Sequence, residues 1–473
     1  MSTYISKFGY VLVKSNFTMK EIDSIKKDLT ARPITDKQLV VVDFPVYRET
    51  VTKLYIPKMY GIQKFGLPLK IFSNYYGNEI LELEFKGALY PRQMEPANNI
   101  HQTLLEKSGA ILNVATGAGK TTIALHIVTL LLRKTLVIVN KITLMNQWKD
   151  EIKKFIPLAK IGTIQGQNVD IDDKDIVVGM LQSLSKPNYP TDTFSSFGMI
   201  IFDECHNLSS RMFSQTMFKT CSAFTLGLSA TPQRSDSCEY VFKWHIGDLI
   251  ECSVTQERKG NKPIVRQIRL DSQHYREIST YNNFTRRNQI QFTSMLTHLV
   301  DMKNRNVYIV KLIEELVKEG RKVLVMSDRR NHLVTIEEEL YKKKVEFTHG
   351  LFMGSMKVHL LEETKKCNVI LATFSAFAEG VSVTDLDTLV LITPKKYVDN
   401  EKVEANKKKD NGKMKQIVGR IFRKDHINTT PLIVDLFDNF SVYKSQAATR
   451  RKFYKNTFGG DYTFEKLTVN LDL

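Results

Sequence analysis

Asn113–Thr122 reads Asn-Val-Ala-Thr-Gly-Ala-Gly-Lys-Thr-Thr, and the fold is decided by how this stretch is understood. Before it runs an apolar segment (Ile111, Leu112, Val114); after it comes a helix-like spacing of Ile123, Ala124, Ile127, Val128 and Leu131. A small-residue loop between strand and helix is a phosphate cradle, because backbone N–H groups and the helix N-terminus face the anion together. Gly117 and Gly119 let the loop curl, with Thr116, Ala118 and Thr122 completing it. Lys120 can reach the β- and γ-phosphates, and Thr121 can offer its hydroxyl to Mg²⁺. Val114 stands where the usual G-x-x-x-x-G-K-[ST] pattern has its first glycine, so the motif needs support from elsewhere.

That support begins with the pattern around it. Apolar runs at Ile111–Val114, Leu136–Val139, Ile176–Val178, Met199–Phe202 and Thr225–Leu228 alternate with helical stretches. Near-continuous apolar runs separated by helices predict a buried parallel sheet. A second such series starts with a helix at Val307–Lys318 and a strand at Val323–Met326, then runs at Val369–Ala372, Leu389–Ile392 and Leu432–Leu436. Residues 1–86 are mixed, with a short helix expected at Met19–Leu29, a β-like run at Leu39–Val42 and an aromatic-rich stretch at Leu54–Gly61. The spacing gives five parts: an accessory domain 1–86, a first lobe 87–260, an irregular linker 261–304, a second lobe 305–460 and a tail 461–473. A Lys-rich insertion occupies 395–415, and the basic run Thr449–Lys455 is expected to be helical.

A chain of 473 residues exceeds one hydrophobic core, and 42% hydrophobic residues are globular rather than disordered. The net charge of +17 and pI near 9.4 suit a polyanionic partner, although solvated lysine faces explain many basic proteins. Five scattered cysteines without a C-x-x-C pair argue against a disulfide framework and a structural zinc site. No apolar run approaches the roughly 20 residues that span a bilayer, and the N-terminus lacks a secretory core. A soluble protein of a reducing compartment, cytoplasmic or nuclear, is expected.

Further stretches carry chemistry. Met199-Ile-Ile-Phe-Asp-Glu-Cys-His206 ends an apolar strand in adjacent carboxylates. Asp203 can hold Mg²⁺, usually through water, while Glu204 can orient and deprotonate an attacking water. His206 is placed to sense the γ-phosphate side. Leu226-Gly-Leu-Ser-Ala-Thr-Pro232 offers Ser229 and Thr231 as hydroxyls that can link this site to a second ligand. Gln416-Ile-Val-Gly-Arg-Ile-Phe-Arg423 puts Arg420 and Arg423 on one helix face, where guanidinium groups suit a triphosphate. Gln93, just upstream of the phosphate loop, carries an amide that both donates and accepts, as an adenine edge requires.

Together these stretches resemble the superfamily 2 helicases and translocases, in order and spacing, over about residues 88–440. Gln93 matches the adenine-reading motif, Gly117–Thr121 motif I, Asp203–His206 the DExH box, and Ser229–Thr231 motif III. Leu136–Lys141 with Gln147 and Trp148 looks like motif Ia, although Asn140 replaces the usual proline; Gly179–Leu184 looks like the next nucleic-acid motif. Val323–Asp328 resembles motif IV, Leu371–Gly380 motif V with Ser382 in place of the usual aspartate, and Gln416–Arg423 motif VI. Within the superfamily the chain looks most like the XPB/UvsW-like group, and nearest to the poxvirus-type transcript-release helicases of large DNA viruses. Supporting residues are Leu54–Gly61, Thr393–Lys396, Val434–Asp438 and Arg450–Tyr454.

The resemblance implies an α/β fold of two tandem RecA-like parallel-sheet lobes with a small N-terminal accessory domain. It implies ATP and Mg²⁺ as cofactors, with Lys120, Thr121, Asp203 and Glu204 on one lobe and Gln416, Arg420 and Arg423 on the other. Gly380 joins the nucleotide set, and His206, Ser229 and Thr231 the coupling set. Nucleic acid is expected at Lys141, Gln147, Gln182, Ser183, Arg329 and Thr373. The leading expectation is a monomeric DNA helicase acting in viral transcription beside RNA polymerase, in a virus factory or virion. An RNA helicase, a non-unwinding DNA translocase of recombination or repair, and an ATP-binding scaffold for a polymerase stay open as alternatives.

Overall fold

The computed structural model describes residues 2–33, 42–114, 118–185, 189–190, 192–210, 214–230, 236–251, 262–283, 286–377, 383, 385–397, 412–422 and 429–473. The chain falls into two compact units, one carrying the described residues through Glu251 and one those from Lys262 onward. Each is built on a large parallel sheet flanked by helices, so the protein is α/β with two RecA-like lobes.

In the first unit the strand order is Asn168–Asp170, Ile161–Gln165, Ile176–Met180, Thr135–Val139, Met199–Asp203, Phe224–Ser229, Gly109–Asn113 and Asp248–Glu251. All neighbours are parallel except the hairpin of the first two. Thr135–Val139 and Ile176–Met180 are buried along their whole length, which is why their residues read as unbroken apolar runs. The order matters for the site. Phe224–Ser229 lies between the other two site strands, pairing Ser229 with Asn113 and Leu228 with Asp203. The phosphate loop and the paired carboxylates therefore emerge at the same sheet edge, at the strands' carboxyl ends, where α/β sheets bind ligands.

The N-terminal module is an antiparallel sheet in the order Thr3–Ser6, Gly9–Val13, Lys53–Ile56, Arg48–Glu49. Its helix, Met19–Asp28, starts at a capping box formed by Thr18 and Glu21. Ile5, Tyr10, Leu12 and Ile56 share one core with Ile100, Leu104, Leu112 and Ile123 of the first lobe. Lys58, buried beneath the sheet, donates to the Ser108, Ser222 and Ala223 carbonyls and joins the two parts. Of Leu39–Val42, only Val42 is among the described residues, and it is exposed.

The large sheet of the second unit has seven strands, all parallel: His349–Phe352, Val369–Thr373, Val323–Ser327, Thr388–Leu391, Leu432–Asp438, Ile264–Asp271 and Thr463–Asn470. Two expectations need correction. The stretch 261–304 is not an irregular joint: Ile264–Asp271 is a sheet strand, followed by helix Phe292–Asp301. Its polar residues hid it, because buried Gln267 is satisfied by Asp435 while Arg266 pairs with Glu465. Nor is 461–473 a loose tail, since Thr463–Asn470 pairs along the whole of that strand. Helix Ser441–Phe458 contains the expected basic segment, and Arg450 within it is buried against Asp435 at 2.9 Å. Of the Lys-rich insertion, 398–411 lies outside the described residues; helix Gly412–Val418 follows it.

Candidate active site

The helix Lys120–Leu131 begins at Gly119, whose φ of 85° is left-handed. A side chain there would be strained and would also run into Gln93 Nε2, so the loop demands glycine at this place. Gln93 itself is 3% exposed. Its Nε2 donates to the Ala118 carbonyl at 2.9 Å, and its Oε1 accepts from the Tyr90 N–H at 3.0 Å. The amide thus props the phosphate loop, and only its second N–H and second lone pair are left for a base. Lys120 and Thr121 open the helix at positions where the N-terminus favours an anion. Thr122 follows in the same turn; Thr116 and Gly117 lie outside the described residues.

Strand Met199–Asp203 delivers the carboxylates. Asp203 Oδ2 accepts from Trp148 Nε1 at 2.9 Å, and Oδ1 accepts from the Glu204 N–H at 2.9 Å. Burial, and then the neighbouring Glu204 charge, push the Asp203 carboxyl up to about 6; the Trp148 hydrogen bond and the Lys120 ammonium oppose them. Glu204 turns the chain with φ 48° and ψ 52°, a left-handed conformation unusual for a non-glycine residue. Such strained conformations cluster at functional turns. Glu204 Oε2 lies 3.5 Å from His206 Nδ1, which in turn meets Ser229 Oγ at 3.1 Å. The Glu204 carboxylate thus meets His206, and His206 meets Ser229, two of the three residues expected to couple the site. Thr231 lies outside the described residues.

Among the described residues no group of three or more His, Cys, Asp or Glu forms a ready metal cage. A single carboxylate with a nearby hydroxyl nevertheless fits Mg²⁺, which keeps several waters and takes phosphate oxygens for the rest. The adjacent carboxylates of Asp203 and Glu204, with the Lys120 ammonium close enough to act on Asp203, suit a cation. Asp203 and Thr121 would hold the ion, Lys120 the phosphates.

On the second unit, Gln416 and Arg420 are 4% and 3% exposed on consecutive turns of the segment Gly412–Phe422. Arg423 and Gly380 lie outside the described residues. The nucleic-acid candidates divide. Lys141 caps helix Ile142–Phe155, which carries Gln147, and exposed Gln182 donates to the Asn140 carbonyl at 2.9 Å. Arg329 caps helix Arg330–Lys342 and donates to the Thr293 carbonyl. Ser183 and Thr373, also expected at nucleic acid, are each only 6% exposed. The Ser183 hydroxyl accepts from the Gly166 N–H at 2.8 Å, and the Thr373 hydroxyl from the Ala376 N–H, so both shape the backbone from inside. Trp148, which in the sequence only joined the motif Ia match, has a contact no local pattern announces, since nothing in an amphipathic helix names a partner carboxylate 55 positions away.

Residues 86–234 match the family described as type III restriction enzyme, res subunit, and residues 305–425 match the helicase conserved C-terminal domain. A protein of Acanthamoeba polyphaga mimivirus, provisionally named an ATP-dependent RNA helicase, is 31% identical over all of this chain and 88% of its own length. An African swine fever virus protein with the same provisional name is 26% identical over 79% of this chain and 74% of its own. Among solved structures, a fragment assigned as the HsdR subunit of a type I restriction enzyme from Vibrio vulnificus has a TM-score of 0.55 at 17% identity. It covers 82% of this chain and 70% of its own. That last likeness concerns the fold alone.

The two lobes and the phosphate-loop and acidic stretches at one sheet edge define an ATP-dependent helicase class. The chain belongs to the superfamily 2 helicases, in the group carried by large DNA viruses. No helix among the described residues is long and apolar enough to cross a membrane.

Proposed function

We propose that the chain is a monomeric motor that moves on DNA and serves viral transcription, releasing transcripts beside RNA polymerase in a cytoplasmic or nuclear virus factory. The observation that supports it best is the grouping of Lys120, Thr121, Asp203 and Glu204 at one sheet edge, with Lys141 and Gln182 on the same lobe. A scaffold that never turned over ATP would have no use for a strained glutamate beside a half-buried aspartate.

In this reading bound ATP with Mg²⁺ supplies the free energy and neutralises phosphate charge. Lys120 holds the β- and γ-phosphates, Glu204 orients and deprotonates the attacking water, and Gln416, Arg420 and Arg423 stabilise charge on the phosphate being released. His206, Ser229 and Thr231 pass the state of the site to the nucleic-acid residues Lys141, Gln147, Gln182 and Arg329. Phosphate contacts of this kind position the strand without reading its sequence, so binding is sequence-tolerant and falls steeply with salt. The proposed boundaries remain 1–86 for the accessory domain and 87–260 for the first lobe, with the second lobe extended to take in 264–271 and 463–470.

An RNA motor is the second reading, favoured by the provisional RNA-helicase names of the mimivirus and African swine fever virus relatives. Phosphate release with single-stranded DNA and RNA of matched sequence separates the two. The DNA reading expects stronger stimulation by DNA and none in Lys120→Ala. Stimulation by RNA alone would transfer the motor to RNA, and no release with either would leave only the scaffold.

A further inference from the structure

Three neighbouring strands of the second lobe's sheet end side by side at its carboxyl edge. Ser327 pairs with Thr373 on one flank and Met326 with Leu391 on the other, so Asp328 lies between the ends of both neighbours. The Asp328 N–H donates to the Thr393 hydroxyl at 2.9 Å, which ties it to the chain leaving Leu391. Two residues further on, Lys395 folds back over this edge. Its Nζ donates to Asp328 Oδ1 at 2.7 Å and stands 4.6 Å from the centre of the Phe374 ring, the residue after Thr373. One lysine thus spans all three strand ends.

Its backbone is fixed while its head is not. The Lys395 carbonyl accepts from Arg450 Nη1 at 2.9 Å, and that buried guanidinium is itself held by Asp435. The paired side chains stay partly open to water, Lys395 at 32% and Asp328 at 27% exposed. An ion pair so placed is weak and exchanges readily. The surroundings favour exchange for an outside anion. Ser327–Arg330 and Thr393–Lys396 together hold four cations and one carboxylate, and Arg330 and Lys396 are exposed. Arg329 uses Nη2 on the Thr293 carbonyl, while its Nε is out of water with no partner among the described residues. Helix Arg330–Lys342 also starts here and adds the positive end of its dipole.

We infer that Lys395 is a further phosphate-holding residue for single-stranded nucleic acid and that Asp328 is its resting partner, displaced when a backbone phosphate arrives. This rests on the helicase reading above. A phosphate brings several anionic oxygens, enough to take over the ammonium and still accept from a neighbouring cation. Asp328 then acts as a brake on binding, because the strand must first part the pair.

The test uses the full-length protein and fluorescence anisotropy with labelled oligothymidine and oligouridine of equal length across a salt series. Lys395→Ala is expected to lower the slope of log affinity against log salt by about 0.7, the value of one phosphate contact on a single strand, and to weaken binding about fivefold at about 0.1 M salt. Lys395→Arg should keep both near the parent. Asp328→Asn is expected to tighten binding by about twofold or more, since it removes the competing carboxylate. In Asp328→Asn/Lys395→Ala that gain should vanish. The opposite signs separate this role from a structural one, because a pair that only held the edge together would weaken binding in both single variants and lower both melting temperatures. That result overturns the inference, as does parent-like affinity and slope in Lys395→Ala, or an Asp328→Asn gain undiminished in the double variant. The expected pattern on both oligonucleotides supports it, and on one supports it for that strand. A parent that binds neither oligonucleotide overturns the helicase reading instead, which is a separate result.

Discussion

Trp148 Nε1 donates to Asp203 Oδ2 at 2.9 Å, joining the buried face of helix Ile142–Phe155 to the tip of strand Met199–Asp203. The indole is 1% exposed and holds one carboxylate oxygen while the Glu204 N–H holds the other. The same helix starts at Lys141 and carries Gln147, so a shift in either end is felt at the other. Trp148→Phe keeps most of the ring volume and deletes the donor. A hydrogen bond to a charged acceptor contributes about 1.5–3 kcal/mol. The variant is expected to need about tenfold more Mg²⁺ for half-maximal ATP hydrolysis, with a modest change in melting temperature. A Mg²⁺ titration identical to the parent's would show that the indole only fills space. Trp148 and Trp244 are the only tryptophans, so Trp244→Phe isolates a fluorescence signal that should respond to Mg²⁺–nucleotide directly.

Glu204 combines a role with a strain. Glu204→Gln keeps shape and removes the base, so turnover should fall by about 10²–10⁴ while nucleotide binding and folding persist. Glu204→Gly should be equally inactive yet melt no lower than the parent, because glycine adopts φ 48° without the left-handed penalty of about 1 kcal/mol or more. Parallel ATPase and thermal-melt measurements check both. Normal turnover in Glu204→Gln would remove the carboxylate from the reaction.

The second lobe is clamped by an ion pair out of water. Arg450 is 1% exposed and Asp435 is fully buried; the guanidinium also donates to the Lys395 carbonyl, and Gln267 donates to the same aspartate. Arg450→Met leaves a buried carboxylate without its guanidinium partner, which should cost about 3–5 kcal/mol. Adding Asp435→Leu should recover much of that loss, since the desolvated charge goes with it. Denaturant unfolding of the two single variants and the double variant closes the cycle. A double variant as unstable as Arg450→Met alone would mean that packing, not charge, sets the cost.

How legible was all this in the amino acids? Strands buried on both faces announce themselves, and Thr135–Val139, Ile176–Met180 and Val369–Thr373 were visible for that reason. Ile264–Asp271 was hidden because a strand whose polar residues find partners keeps no clean apolar run. Thr463–Asn470 was hidden because an edge strand is mostly exposed. The ATP site is written in contiguous letters, as strand, loop and helix force its residues together. Contacts between distant segments are not, and neither Trp148–Asp203 nor the inward turn of Ser183 leaves a local mark.

Two buried imidazoles give the protein an acid limit. His332 lies between Ser327 Oγ and Asn306 Oδ1, at 3.2 and 3.0 Å from its ring nitrogens, and His245 is stacked edge-on against Phe218. Burial, then a neighbouring arginine (Arg305 for His332, Arg48 for His245), lowers both from 6.5 to about 3. Between those values the unfolded chain holds a proton that the folded protein refuses, so stability falls as pH drops below 6.5 and is unaffected above it. At pH 5 each histidine should cost about 2 kcal/mol relative to pH 7. The Ser327 hydroxyl also accepts from the Arg329 N–H, which leaves its own proton for His332 Nδ1 and makes Nε2 the protonated nitrogen toward Asn306. His332→Gln keeps an uncharged polar group there and should lose about 2 kcal/mol less than the parent between pH 7 and pH 5 in denaturant unfolding of the second lobe. Equal losses in parent and variant would place the acid sensitivity elsewhere.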